Sequence, residues 1–558
     1  MLWILELSLQ ILSSFGPRIY GRNPFQAQAP FFGQKECVHP TPTTTSTEKI
    51  PDYFDTTIGW FAGPTQTGDA PWLAQTNAAP FAGISYIPNA PLETQVPIPR
   101  NIHNHNIFQR LANLSPYFPN PRGFGVEEYS VPHGSNVTWL NMVHRHGSRY
   151  PEMNGRAAER KLGKKIMDAI GKFKASGALE FLNSWKFMLG AEILVPIGKQ
   201  ELFNSGTLHY YQYGHLFPNN GSKIIARTTT QRRMVESAEY FLAGFFGLGW
   251  TQNATLEMVI ESTDFNNTMA GYKLCNHSNW QMAYEATLEW ATIYLSDAYP
   301  RIKSMISGDL DWTLEDTYNA QALCAYETIA LGFSHWCSVF TYEEWEGFEY
   351  SLDIGFSAGV GFQSPIGRAI GIGYVQEVLA RMEHHVITSP AAQINVTLDN
   401  NTVTFPLDQT LNFDFSHDAN IISILTAFGL TQFNKPLPTT HIVEREFILS
   451  YLEPFAGRLD IEIVRAPSPV NSNRSDSTIY LEGPPTSYVH FILNQRTIPL
   501  GKSLKECGKR DDGWCEMEAF IEVQKKQIGL ADYDFACFGD YDQGKYGDVT
   551  DGRPVSKG

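Results

Sequence analysis

This 558-residue chain is short of positive charge. Lys and Arg number 42 against 58 Asp and Glu, the formal net charge is −16, and charged residues of both signs reach only 18%. A broadly basic surface for nucleic acid is excluded. So low a charge content also argues against a disordered or coiled-coil protein. Cysteine is sparse: seven residues, six of them beyond position 270, with no C-x-x-C pair and no His near Cys507 or Cys515. Those spacings do not make a metal site. No stretch reaches roughly 18 uninterrupted apolar residues, so no stable membrane span is expected. Internal repeats are absent, and the Gly-rich stretch 355–373 lacks the G-K-[ST] of a nucleotide loop.

What is present is apolar bulk. Hydrophobic residues make 43% and aromatics 13%, enough for a large core and at least two domains. Asn-x-Ser/Thr sequons number nine, at Asn113, Asn136, Asn220, Asn253, Asn266, Asn276, Asn395, Asn400 and Asn473. Chance gives about four, and the excess marks candidate glycosylation sites. The close pairs Cys324/Cys337 and Cys507/Cys515 suit short disulfide loops in an oxidising compartment. Secretion is the expectation. Residues 1–15 (MLWILELSLQILSSF) are apolar but interrupted by Glu6 and Gln10. They fit a poor signal peptide, a membrane-surface helix or a mispredicted start. Residues 1–100 read as this segment plus a Pro/Thr-rich tail, and 542–558 as a polar tail.

Between the tails, short strand signals end on polar clusters. Residues 138–144 lead to Arg145, 224–226 to Arg227, and 411–415 to Ser416, His417 and Asp418. Helical spacing follows the last two, at Met234, Val235, Ala238, Phe241, Leu242 and Phe245, and at Ile421, Ile422, Leu425 and Phe428. The pattern predicts an α/β fold: a large α/β domain over 101–228 and 366–541, with a smaller helical domain inserted at 229–365. In such sheets ligands sit beyond the carboxyl ends of the strands.

Chemistry concentrates in RHGSRYP, residues 145–151. Arg145 and Arg149 flank His146 with forked donors that match phosphate oxygens. Gly147 is expected to let backbone approach a bound group. Like charges disfavour protonation of His146, leaving it a neutral nucleophile in mild acid. Arg227 joins the two arginines as a phosphate ligand in this reading, His417 holds the phosphate beside them, and Asp418 supplies the proton to the leaving alkoxide.

These motifs resemble the histidine acid phosphatases, especially their fungal phytase-like branch. The likeness runs over roughly 107–540 and includes LSPYFP, PIGKQELFNSG, ARTTTQRRMVESAEYF, HWCSVFTYEEW, SPIGRAIGIGYVQEVLARM and FSHDAN. It implies a phosphoglycerate-mutase-like α/β domain with a central mixed sheet plus a helical domain, no metal or other cofactor, and a phosphohistidine intermediate. His146 becomes the nucleophile, Asp418 the proton donor, and Arg145, Arg149, Arg227 and His417 the phosphate ligands. It further implies disulfides Cys275–Cys537, Cys324–Cys337 and Cys507–Cys515, with Cys37 free. The substrate is then a small phosphate monoester, phytate (myo-inositol hexakisphosphate) included. The family's lysine pair before the Gly-rich loop is missing here, where SLDIGFSAG carries Asp353 instead. A broad-specificity acid phosphatase with little phytate activity is therefore the alternative. A mutase-like transferase and a non-catalytic binding protein of the same fold are more distant rivals.

Three further features complete the reading. Arg156, Arg160, Lys161, Lys164, Lys165, Lys172 and Lys174 are either a solvated helix face or a rim that attracts polyphosphates. His103 and His105 read as surface loop. His144, by strand alternation, faces away from Arg145 as core support.

Overall fold

The protein is described by a computed structural model covering residues 96–153 and 158–555. Ten strands occur there: β1 Asn136–Arg145, β2 Phe173–Ala175, β3 Ile224–Thr229, β4 Ala254–Val259, β5 Ile306–Gly308, β6 Leu411–Ser416, β7 Arg458–Ala466, β8 Thr486–Leu493, β9 Arg496–Ile498 and β10 Cys515–Glu516. Eight of them make one sheet in the order β10-β8-β7-β1-β6-β3-β4, with β9 on β8, while β2 and β5 pair separately. β1, β6, β3 and β4 run parallel. β7 joins β1 antiparallel, and β8 joins β7 likewise. The sheet is mixed, as expected. β1 is buried along its last seven residues, and β6 throughout, which suits parallel strands covered on both faces.

The principal helices before the third parallel strand's partner are α1 Ala158–Ala169, α2 Pro196–Tyr213, α3 Arg232–Phe246, α4 Gln281–Tyr294, α5 Ala298–Ser304, α6 Leu314–Leu331, α7 Tyr342–Val360 and α8 Gly367–Met382. The remainder are the short α9 Val396–Asp399, α10 Asp418–Ala427, the short α11 Leu449–Leu452, α12 Met517–Ala531 and α13 Tyr533–Phe538. One sheet face buries Leu140, Met142 and Phe413 against Leu202 of α2 and Phe241 and Phe245 of α3. The other packs on α8, α10 and α12 through Ile370, Val375, Ile421, Phe428 and Phe520. A third core joins α1, α4, α6 and α7 around Trp312, Trp336 and Trp345. α6 and α7 each open on a capping box, Thr313 with Asp316 and Thr341 with Glu344.

Several sequence boundaries shift. The segment 229–365, expected to be a helical insert, begins with α3 against the sheet and then contributes β4 as its edge strand. Its helical core also recruits α1, from the segment expected in the α/β domain. The Gly-rich stretch 355–373 is mostly helical: α7 runs to Val360 and α8 starts at Gly367. The described part of the expected tail, residues 542–555, docks on the fold. Arg368 of α8 grips Asp551 with Nη2 at 2.6 Å, and the Gly552 N–H donates to the Phe362 carbonyl at 2.7 Å. The three disulfides form as the resemblance implied, Cys275–Cys537, Cys324–Cys337 and Cys507–Cys515. Cys37 and Arg156 lie outside the described residues, as does the apolar segment 1–15. Among the described residues, no helix is long and apolar enough to cross a membrane.

Strand register sets the site. β1 and β6 align Leu140 with Leu411 through Arg145 with Ser416. One residue further on, both chains leave the sheet at His146 and His417, whose ring centroids stand 5.8 Å apart. The carboxyl ends of the two central parallel strands thus deliver two imidazoles to one place.

Candidate active site

The loop after β1 is held by main-chain and carboxylate contacts with α2. Glu201 accepts from the Ser148 N–H at 2.7 Å, from the Ser148 hydroxyl at 2.9 Å and from the Tyr117 N–H at 3.0 Å. A Cβ on Gly147 would lie 2.3 Å from the Gly198 carbonyl oxygen, and one on Gly198 would lie 2.0 Å from that of Ser148. Gly147 is therefore required by the closeness of α2. The expectation that it makes room for a bound group is replaced by this contact.

His146 is buried, and its Nδ1 lies 2.9 Å from the Gly147 carbonyl oxygen. A carbonyl only accepts, so Nδ1 carries the proton and Nε2 keeps the lone pair. Burial, then Arg145, Arg233, Arg149 and His417, hold this imidazole well below its usual range. The expected direction holds, with burial as the leading cause and the arginines behind it.

Arg145 stacks on Phe455, its guanidinium carbon 4.5 Å from the ring centroid. Its Nη1 donates to the Asn113 and Glu453 carbonyls, both at 2.7 Å, and Nη2 lies 2.7 Å from Asp418 Oδ2. Arg149 donates to the Tyr150 carbonyl at 3.0 Å, with Glu152 3.5 Å away. Arg233, in the first turn of α3, bonds Glu192 at 2.6 Å. Asp418 opens α10 and accepts from Asn113 Nδ2 at 2.9 Å and the Ala419 N–H at 2.8 Å. Burial alone would raise its pKa. Arg145, Asn113, Arg149 and the Ala419 N–H outweigh burial and hold the carboxyl below the usual carboxylate range. His417 gives its Nε2 to Glu261, 2.9 Å away.

A buried imidazole in the field of three arginines, each with a carboxylate beside it, sits within a family match. Residues 136–494 match the model of the histidine phosphatase superfamily (branch 2). This chain belongs to that family. Among curated proteins, phytase A of Aspergillus awamori is 30% identical over 410 residues, 70% of this chain and 82% of that one. Phytase A of Aspergillus oryzae is 30% identical over 430 residues, 74% and 86% respectively. The solved phytase of D. castellii superposes with a TM-score of 0.63 at 21% identity, covering 80% of this chain and 90% of that one. That likeness speaks for the fold.

In this branch-2 histidine phosphatase the structure brings His146, Arg145, Arg149, His417 and Asp418 together. Arg227 is elsewhere. It stands in β3 opposite Asp414 of β6, with Nε 2.7 Å from Asp414 Oδ1 and Nη2 2.6 Å from Glu377 of α8. Arg381 bonds the same Asp414 at 2.7 Å, and Asp399 lies 3.6 Å from Arg227. Two residues short of the strand end, Arg227 faces α8 and is consumed by carboxylates. The arginine beside His146 is Arg233, six residues later. It carried a readable signal: a cation in the first turn of a helix that has no acidic residue there opposes the helix dipole.

Asn113, expected as a glycosylation site, is buried and spends its amide on Asp418, which leaves no place for a glycan. Asn136, Asn220, Asn266, Asn276, Asn400 and Asn473 are exposed, and Asn253 and Asn395 half-buried. Asp353, standing where lysines were sought, is buried and pairs with Arg445, so it does not line the site. Two cations of the basic rim are neutralised by carboxylates. Lys165 pairs with Asp316 and Lys164 with Asp168, while Arg160 donates to the Gly190 carbonyl. His144 is core support: fully buried, with Nε2 2.8 Å from Ser205 Oγ.

Proposed function

We propose that this protein hydrolyses phosphate monoesters by way of a phosphohistidine, with inositol polyphosphates among its substrates. The observation that carries the reading is a buried His146 whose Nδ1 is committed to the Gly147 carbonyl, leaving the lone pair on Nε2, within the field of Arg145, Arg149 and Arg233. A phosphoryl dianion bound there has its nonbridging oxygens on forked donors and its phosphorus before Nε2. Attack forms the N–P bond as the ester P–O bond breaks. The departing alkoxide takes a proton from Asp418. Water then attacks the phosphohistidine, with the Asp418 carboxylate accepting its proton, and orthophosphate leaves.

Asp418 is held ionised in the free protein, so the proton must arrive with substrate. A dianion on Arg145 and Arg149 competes with Asp418 for their charge and brings negative charge close, and both effects raise the proton affinity of Asp418. Turnover therefore declines as pH rises, while the depressed pKa of His146 keeps the nucleophile neutral in mild acid. The kinship with proteins named phytase A supports phytate as a substrate. Glu152 and Glu192 beside Arg149 and Arg233, together with the carboxylates paired to Lys164 and Lys165, favour a second reading in which small monoesters are preferred. Turnover of phytate and of an aryl phosphate at matched acid pH separates the two. A phytate rate below about a hundredth of the aryl rate sinks the first. Three disulfides and six exposed sequons support export to an oxidising compartment.

A further inference from the structure

Glu261 lies just beyond β4, and nothing in the sequence motifs singles it out. Its carboxylate is 1% exposed. One oxygen, Oε2, stands 2.9 Å from Nε2 of His417. The other, Oε1, accepts from Gln231 Nε2 at 2.5 Å and from the Tyr272 hydroxyl at 3.2 Å, with Lys273 Nζ 3.5 Å away. Its own N–H donates to Thr230 Oγ1 at 3.1 Å. One carboxylate thus ties the loop after β3, the turn carrying Tyr272, and the His417 corner after β6. Burial works against its charge, but His417, Thr229 and Lys273 prevail and keep it ionised.

The consequence lies in proton arithmetic. An imidazole has two ring nitrogens, and a neutral one carries a single proton. His417 commits Nε2–H to Glu261. A neutral His417 would then offer a phosphoryl oxygen the lone pair of Nδ1, which repels it. Only the doubly protonated ring donates to Glu261 and to phosphate at once. The groups around it pull both ways. His146 stands 5.8 Å away with Arg145, Arg149 and Arg233 behind it, and disfavours a further cation. Tyr272 packs edge-on at 6.1 Å and is itself bonded to Glu261. Asp418, next in sequence, is turned to Arg145. Glu261 is the carboxylate in contact with the ring.

We propose that Glu261 is a positioning residue of the phosphate site, which holds His417 as the imidazolium and directs its Nδ1–H at the phosphoryl group. The proposal rests on the reading of His146 as nucleophile and deepens it. Glu261→Gln keeps the shape and removes the charge. The experiment measures aryl-phosphate turnover from pH 3 to 7, and competitive inhibition by orthophosphate, in the native protein, Glu261→Gln, His417→Ala and the double variant. The expected result for Glu261→Gln is an alkaline limb displaced toward acid by about one pH unit or more. Orthophosphate inhibition weakens about tenfold at pH 6 and little at pH 4. In the His417→Ala background the same change should alter turnover less than about twofold. A uniformly lowered profile of unchanged shape, or an equal loss without His417, overturns the proposal.

Should the Gln variant not fold, ¹⁵N spectra of histidine-labelled native protein, with His417→Ala for assignment, decide the matter. Two protonated nitrogens on His417 in the orthophosphate complex are expected, and an unprotonated Nδ1 overturns the inference. Unimpaired turnover in His146→Ala refutes the reaction reading itself, which keeps the two failures apart.

Discussion

Two groups of buried arginines flank β6, Arg227 of β3 with Arg381 of α8 on one side and Arg145 of β1 with Arg149 and Arg233 on the other, and they are opposites. Around Arg227 and Arg381 the carboxylates Asp414, Glu377 and Asp399 match or exceed the cations. Burial lowers the affinity of Arg227 for its proton, but Asp414 and Glu377 more than reverse that. Around His146 the three arginines meet one carboxylate each, Asp418, Glu152 and Glu192, and the last two are 41% and 38% exposed to water. Burial pulls Arg145 and Arg233 below the ordinary guanidinium range, and Arg149 contributes to the lowering in both. The first group neutralises its charge inside the fold. In the second, water screens two of the three carboxylates, so an anion can compete for the arginines. A buried arginine by itself therefore says little about function; how deeply its carboxylates are buried with it says much more.

The contrast can be broken at several points. The largest effect is expected at His146: His146→Ala should lower aryl-phosphate turnover by about ten-thousand-fold or more, with the melting temperature nearly unchanged. Next comes the pair of arginines. Arg233→Ala should cost about a hundred- to a thousand-fold in kcat, as the loss of one charge-stabilising donor does, and abolish the stabilisation by added orthophosphate in thermal melts. Arg227→Ala should do the reverse, removing about 3–5 kcal/mol of stability by orphaning Asp414 and Glu377. The folded fraction should keep turnover within about threefold. An Arg227 variant that melts normally but has lost phosphate binding would erase the distinction.

Glu327 of α6 sharpens the contrast from the other side, as a buried acid with no cation among its hydrogen-bond partners. Its carboxylate accepts from Ser334 Oγ at 2.6 Å and Trp185 Nε1 at 2.8 Å, and burial pushes it up to about 7. A raised carboxyl pKa adds stability that is whole below its ordinary value of 4.5 and is lost as pH rises through about 7. Glu327→Gln should therefore flatten the fall in melting temperature between pH 5 and 8 and leave kcat alone. The smallest effect belongs to the rim: Lys161→Glu should change KM for phytate by less than about threefold, because the charges around it are already paired or solvated.

These contrasts show where sequence reading succeeded and where it stopped. The strands that end at Arg145 and Ser416 were legible because short apolar runs break on polar clusters, and parallel register then brings His146 and His417 together. Arg227 was misjudged for a physical reason. It is also near a strand end, but two residues of pleat decide whether a side chain passes the edge or turns into a helix layer, and only the pairing with Asp414 reveals which. Asn113 and Glu261 were invisible as site residues, since their roles arise from contacts to Asp418 and His417 across 305 and 156 positions. At the start of α8 a Cβ on Gly371 would stand 2.2 Å from the Ser423 carbonyl of α10, so close helix packing explains that glycine.

The contact of Gly147 with Gly198 has a consequence for how this protein can change over time. The reacting centre is located by main chain meeting main chain, a junction indifferent to the side chains displayed farther along the loop. Position 152 can then be exchanged while His146 stays put. Selection for new esters has a rim to explore without disturbing that imidazole, and a library randomised at position 152, beside Arg149, is the natural place to look for altered substrate preference.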